Sequence, residues 1–145
     1  MAIVRPATEK DIPRILELYR QLGVEDGQPS IDDCKAVLSA IIANPGQELL
    51  VVENDGLVAG TTMMAIVPGI AHGARPWAVL EFTVVDEQCR GRSIGRQMMD
   101  YAMTRAREAG CYKIMLSSNK QRKDAHRFYR SLGFVDSHEG FQHRF

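Results

Sequence analysis

Charge of one sign is what this chain lacks most plainly: 18 Lys and Arg are matched by 18 Asp and Glu, so the formal net charge is zero. Proteins that hold nucleic acid through its phosphates carry a basic excess, and nucleic acid is therefore not an expected partner. Cysteine is scarce. Cys34, Cys89 and Cys111 are odd in number and form no CxxC pair, which argues against a disulfide framework or a zinc site and for reduced thiols in a cytoplasmic protein. Long apolar runs are missing too, and none approaches the roughly 20 residues that span a bilayer. The start, Met1-Ala2-Ile3-Val4-Arg5-Pro6, has no apolar core of the secretory kind. His72, His126, His138 and His143 show no metal-ligand spacing and read as surface or packing residues; no metal is expected. The methionines, Met63-Met64 and Met98-Met99 among them, read as core filler. Repeats, low-complexity tracts and linkers are absent, so 145 residues at 45% hydrophobic imply a single domain over 1–145.

What is present is a clear alternation of periods. Ile3-Val4 suggests a short strand ended by Pro6. Thr8 with Asp11 approximates a capping box, and Ile12, Ile15, Leu16, Tyr19 and Leu22 follow at helical spacing up to Gly23. Ser30 with Asp33 opens a second helix carrying Ile31, Cys34, Val37, Leu38 and Ile41. The period then shortens: Leu49 to Glu53 and Leu57 to Val67 are extended, joined by the hairpin signal Asn54-Asp55-Gly56. A glycine- and alanine-containing loop, Pro68 to Pro76, leads to a strand from Trp77 to Val85. Gly91 to Ala109 reads as a helix closed by Gly110, and Tyr112 to Leu116 as a strand. Ala125 to Leu132 is a short helix closed by Gly133, and Phe134-Val135 and Phe141 to Phe145 read as closing strands. The order β-α-α-β-β-β-α-β-α-β-β predicts an α/β (α+β) fold. Its sheet is mixed, mostly antiparallel and twisted, of six to seven strands with helices on both faces. A parallel neighbour is reached by the crossover from Trp77 to Leu116.

The join between that strand and its helix is Val84-Val85-Asp86-Glu87-Gln88-Cys89-Arg90-Gly91-Arg92-Ser93-Ile94-Gly95-Arg96. A helix start exposes unpaired N–H groups and the positive end of the dipole. Gly91 and Gly95 let an anion approach the backbone, and Arg90, Arg92 and Arg96 suit phosphate oxygens. The turn reads as a pyrophosphate cradle, although the same residues also suit a solvated turn. Neither a GxxxxGK[ST] loop nor a GxGxxG near the N-terminus offers a competing nucleotide site.

Here the chain resembles the GCN5-related N-acetyltransferases. Arg90, Ser93, Ile94 and Gly95 are similar to the family's Arg/Gln-x-x-Gly-x-Gly/Ala motif, with Ser93 standing where the family usually has glycine. Serine there makes a left-handed backbone costly. Ala125-His126-Arg127-Phe128-Tyr129-Arg130-Ser131-Leu132-Gly133-Phe134 is similar to the second signature, A-x-x-F-Y-x-x-x-G-F, about thirty residues on. The resemblance covers essentially the whole chain. It implies the acetyltransferase fold, acetyl-coenzyme A as acyl donor, and direct transfer to a primary amine in a ternary complex. Cofactor contacts fall on Val84, Val85, Arg90, Gly91, Arg92, Ser93, Ile94, Gly95 and Arg96. Backbone N–H at Val84 or Val85 polarises the carbonyl. Asn119 is a further contact to the pantetheine amides, although the family's frequent N-x-x-A spacing, counted back from Ala125, falls on Arg122. Lys120, Arg122 and Lys123 form a second basic patch.

Two residues carry the chemistry implied. Tyr129 is the expected general acid for the departing thiolate, since a phenol of pKa about 10 is protonated at neutral pH. Glu81 is the candidate base for the amine, or else a structural acid. Strict alternation would place Leu80, Phe82 and Val84 on one face and Glu81, Thr83 and Val85 on the other, with partial burial raising the carboxyl's pKa. The acceptor side is expected around Gly23 to Ser30, where Glu25 and Asp26 could meet a cation, Met63 to Ile66, and Pro68 to Pro76 with His72 and Trp77. A small-molecule amine is the first expectation, a protein lysine or N-terminal amine the second, and a non-catalytic acetyl-coenzyme A sensor the reading from another class. Gly110-Cys111-Tyr112-Lys113-Ile114 has a faint similarity to glucosamine-phosphate acetyltransferases. Dimers are frequent in the family.

Overall fold

The periodic segments become discrete elements in the computed structural model, which describes residues 2–24 and 26–145; Met1 and Glu25 lie outside the described residues. Strand β1 (Ala2–Pro6) leads through a 3-10 turn into helix α1 (Ile12–Gln21). Entry to that helix is fixed by Asp11. Its carboxylate accepts from Thr8 N–H at 2.7 Å, completing one arm of the expected capping box, and from Arg5 at 2.8 and 3.0 Å. Helix α2 (Ile31–Ala43) starts at Ser30, whose Oγ accepts from Asp33 N–H at 3.0 Å. Strands β2 (Gln47–Asn54) and β3 (Leu57–Val67) are joined at Asp55 (φ 51°) and Gly56 (φ 80°). Two successive left-handed residues make the turn whose twist matches a hairpin. Strand β4 (Trp77–Val85), helix α3 (Ile94–Glu108), strand β5 (Ile114–Leu116) and helix α4 (Lys123–Ser131) complete the order.

The sheet has five strands in the order β1-β2-β3-β4-β5, and the first four form an antiparallel meander. Tyr112 N–H donates to Pro76 O and Ala78 N–H to Lys113 O, each at 3.0 Å. These bonds advance along both segments in the same sense, so the pairing that leads into β5 is parallel and the sheet is mixed. Helices cover both faces of it. Val51 and Val84 join Ile15, Leu18 and Leu38 of α1 and α2 in one buried cluster, whereas Val52, Ala59 and Val85 meet Ile94 and Met98 of α3 in another. Adjacent strand residues point to opposite faces, which puts α1 and α2 on one side and α3 on the other.

The expected six to seven strands are corrected to five. Phe134-Val135 and Phe141–Phe145 are irregular. Gly133 (φ 92°) ends α4, and Phe134 N–H is spent on Tyr129 O at 3.1 Å in closing that helix. Val135, Phe141 and Phe145 stay exposed, so their β-prone side chains gain no burial that would recruit a strand. The chain divides into two compact units, Met1–Met115 and Leu116–Phe145. Among the described residues no helix is long and apolar enough to cross a membrane.

Candidate active site

Strand β4 carries an extra residue. Met63 pairs with Glu81 and Thr61 with Val84, so two steps on β3 oppose three on β4. Phe82, at φ 55°, absorbs the insertion as a bulge. Thr61 and Met63 share a face, and their partners Val84 and Glu81 must share it too. The alternation expected from sequence is thereby corrected: Glu81 lies on the α1–α2 face with Val84, not opposite it. It is exposed rather than partly buried. Phe82 turns outward, 45% exposed, with its ring 5.7 Å from that of Tyr19 on α1. Burial pushes the Tyr19 phenol up to about 12, so this wall of the bulge stays neutral. Beside it Thr83 and Thr62 pair their hydroxyls at 2.7 Å.

Hydrogen-bond parity then separates Val84 from Val85. Asp86 N–H donates to Ala59 O of β3 at 2.8 Å. In an antiparallel pair, residues of the same parity aim both backbone groups at the same neighbour. Val84 is therefore turned toward β3 and Val85 away from it. Arg90 Nε reaches the Val85 carbonyl on that outer edge at 3.3 Å.

The turn that follows is held from beneath. Asp86 is buried, accepts Gln88 N–H at 2.9 Å and is ion-paired with Arg14 of α1. The Gln88 amide, then Arg14, hold its carboxyl below the usual range. Arg14 also donates to Val58 O at 3.0 Å, and Gln21 Oε1 accepts Glu87 N–H at 3.0 Å. With its base fixed, the chain passes Gly91 (φ 78°) and Ser93 (φ 62°, ψ 11°), both left-handed, before α3 begins at Ile94. The helix thus starts three residues later than expected, because left-handed residues cannot continue a right-handed helix. Serine adopts the glycine-like conformation after all. The first-turn N–H groups of α3 point outward beside exposed Arg92 and Arg96, while Ile94 is buried and anchors the helix. Left-handed residues followed by free first-turn N–H groups make this helix N-terminus a candidate anion site. Arg14, Gln21 and Asp86 escaped the sequence reading; only the Asp86-Glu87-Gln88 turn gave a local sign, since Arg14 lies 72 residues from its partner.

The second unit holds the other two expected residues. Asn119 is exposed, its Oδ1 accepts Gln121 N–H at 2.9 Å, and its carbonyl meets Arg122 N–H at 3.0 Å and His126 Nε2 at 2.8 Å. Tyr129 is buried on α4, its ring 5.5 Å from Phe128 and 5.9 Å from Phe134. Arg122 and Lys123 frame the start of α4, and Lys120 is exposed.

The profile of the acetyltransferase (GNAT) family matches residues 12–134, which spans both units. The chain belongs to that family. A solved structure from Agrobacterium tumefaciens str. C58, an acetyltransferase by name only, is 37% identical, with a TM-score of 0.90 over 99% of each chain. The aminoalkylphosphonate N-acetyltransferase of Salmonella typhimurium is 40% identical over 70 residues, 48% of this chain and 46% of that protein. The glucosamine 6-phosphate N-acetyltransferase of Trypanosoma brucei brucei is 32% identical over 79 residues, 54% of this chain and 52% of that protein. The chain thus spans about half the length of these curated relatives.

Proposed function

We propose that this protein transfers the acetyl group of acetyl-coenzyme A directly to a primary amine of a small molecule, within a ternary complex. The observation that carries the proposal is the turn from Asp86 to Ile94: a family motif whose Gly91 and Ser93 both take the left-handed backbone a phosphate cradle needs. Arg90, Arg92, Gly95 and Arg96 complete the pyrophosphate contacts, and Asn119 serves the pantetheine amides. Relatives named for an aminoalkylphosphonate and an amino-sugar phosphate favour a small acceptor over a protein one. A cytoplasmic setting suits three cysteines that are all free thiols.

In the reaction, Glu81 takes a proton from the ammonium, directly or through water, and the neutral nitrogen attacks the thioester carbonyl. The oxyanion that forms accepts from Val85 N–H, the backbone donor turned away from β3. The adduct's nitrogen gives its second proton to water, the C–S bond breaks, Tyr129 gives its phenolic proton to the thiolate, and exchange with solvent resets Glu81 and Tyr129. The role of Tyr129 rests on the F-Y motif, and that of Glu81 on its place beside the bulge.

The test is thiol release from acetyl-coenzyme A against a panel of amines. Tyr129→Phe is expected to lower kcat by about 10²-fold or more while leaving the acetyl-coenzyme A KM within a few fold. An unchanged kcat removes Tyr129 from the mechanism. For Glu81→Gln, loss of the acidic limb of the pH–rate profile is expected, and a retained limb rejects the base role. Binding of acetyl-coenzyme A with no amine-dependent release would favour a sensor.

A further inference from the structure

At the start of β4 the first unit gathers cations that have no ion-pair partner among the described residues. Three successive left-handed residues, His72 (φ 53°), Gly73 (φ 75°) and Ala74 (φ 58°), fold the loop back, and Arg75 Nε closes it on His72 O at 3.0 Å. The His72 ring stacks on Tyr112, centroids 4.1 Å apart. Arg75 lies 5.9 Å from the same ring, and Lys113 Nζ lies 5.5 Å from it and 5.9 Å from the ring of Trp77. Lys113 and Tyr112 also line a cavity of about 170 Å³ together with Arg107 of α3. None of Arg75, Arg107 and Lys113 forms an ion pair among the described residues, although other arginines of this neutral chain do. Two formal positive charges and an imidazole thus surround one aromatic ring, and a third cation, Arg107, lines the adjoining cavity. The aromatic faces stabilise each cation singly but do nothing to relieve their mutual repulsion.

The position of this cluster relative to Glu81 gives it meaning. Trp77, Val79 and Glu81 occupy alternate positions on one face of β4, ahead of the bulge. Four steps along the strand separate Trp77 from Glu81, about 13 Å. Val79, Met63, Ala65 and Trp77 on the same paired face are only half-buried, leaving an apolar floor between the two ends. A coenzyme phosphate is a poor occupant of the cluster. The pyrophosphate turn is at the N-terminus of α3, whereas Arg107 is at its C-terminal end, about 20 Å away along the 15-residue helix.

We infer that Arg75, Lys113 and His72 form an anion subsite for the acceptor, and that the acceptor is a primary amine carrying a phosphoryl or phosphonyl dianion. The amine meets Glu81 while the dianion meets the cations, and the Trp77–Val79 surface supports the carbon chain between them. This rests on the acetyltransferase reading above and sharpens it to a substrate class. Guanidinium and ammonium groups bind a dianion by charge-assisted hydrogen bonds, which set its position as well as its affinity.

The experiment compares ω-aminoalkyl phosphates of increasing chain length with the matching aminoalcohols, using the full chain and acetyl-coenzyme A. The wild type is expected to favour the phosphate by tenfold or more in kcat/KM, with an optimum at an intermediate length. In the double variant Arg75→Gln/Lys113→Gln the ratio falls toward one. Inorganic phosphate raises the KM of the aminoalkyl phosphate and leaves that of acetyl-coenzyme A unchanged. A wild-type ratio near one, or a ratio retained in the double variant, overturns the inference. Competition of phosphate with acetyl-coenzyme A overturns it as well, because the cluster would then serve the coenzyme. If no amine releases thiol, the acetyltransferase reading fails, and thermal shift with inorganic phosphate decides the subsite separately. Stabilisation of the wild type but not of the double variant upholds an anion site, and equal responses reject it.

Discussion

Ser93 illustrates how a single residue carries a conformational cost for the sake of a site. At φ 62° its Cβ crowds the backbone, a penalty of roughly 1 kcal/mol that glycine avoids. The cost is met because Asp86, Arg14 and Gln21 fix the base of the turn and buried Ile94 fixes its exit. Replacing Ser93 with glycine is therefore expected to stabilise the protein by about 0.5–1 kcal/mol in urea unfolding. Acetyl-coenzyme A affinity should change by less than that, unless the serine hydroxyl itself donates to phosphate. The identity of this turn was legible from local sequence, because glycines, arginines and a helix start lie within seven residues of one another. Its support was not, since Arg14 and Gln21 come from a helix whose pattern reports only its apolar stripe.

At the scale of the strand, one inserted residue decides the geometry. Phe82 is neither glycine nor proline, so nothing in β4 marked it as left-handed, and simple alternation assigned Glu81 to the wrong face. The pattern on either side of it, Trp77 to Glu81 and Val84 to Val85, was readable because burial there enforces period two. Neighbouring β3 is fitted to the same region through Gly60. A methyl group at that position would stand 2.9 Å from the Val84 carbonyl oxygen and 3.0 Å from Val52 Cγ1. The first contact is with backbone and cannot rotate away. Gly60→Ala is expected to cost about 1–3 kcal/mol in chemical denaturation, together with weakened acetyl-coenzyme A binding as β4 is displaced. An unchanged unfolding midpoint would mean that the two strands separate more readily than their pairing implies. The opposite error occurred at the C-terminus. There Phe134, Val135, Phe141 and Phe145 look strand-forming by propensity, yet propensity is expressed only where a partner edge and a face to bury exist.

For the molecule as a whole, acid stability follows from two buried carboxylates. Asp11 is held below its ordinary pKa first by the hydrogen bond from Arg5, and Asp86 first by the Gln88 amide and then by Arg14. A carboxyl that titrates lower in the folded than in the unfolded chain stabilises the fold above the unfolded value, near pH 4. That contribution is lost as the pH falls through the folded value. Stability is thus expected to be flat from neutral pH to about 5 and to decline below about 4. Asp86→Asn should cost about 1–3 kcal/mol at pH 7 and progressively less in acid, because the wild type then loses the same charge. Thermal unfolding of both forms across pH checks this, and parallel curves would exclude Asp86 as a source of the acid transition. The electrically neutral composition gave no hint of these pairs, which join β1 to the entry of α1 and α1 to the end of β4.

The sheet places its strands in the order in which they are made. Because β2 pairs with β3 and β3 with β4 through short connections, these three can zip together as the polypeptide leaves the ribosome, without waiting for distant sequence. Strand β1 is different, since it must wait for β2 some 48 residues later. The bare edge of a nascent β1 is therefore covered only after α1 and α2 have been synthesised and β2 has followed them. Changes that slow translation through residues 31–57 would lengthen the life of that bare edge. Yield of soluble protein would then respond to synonymous codon choice in that segment.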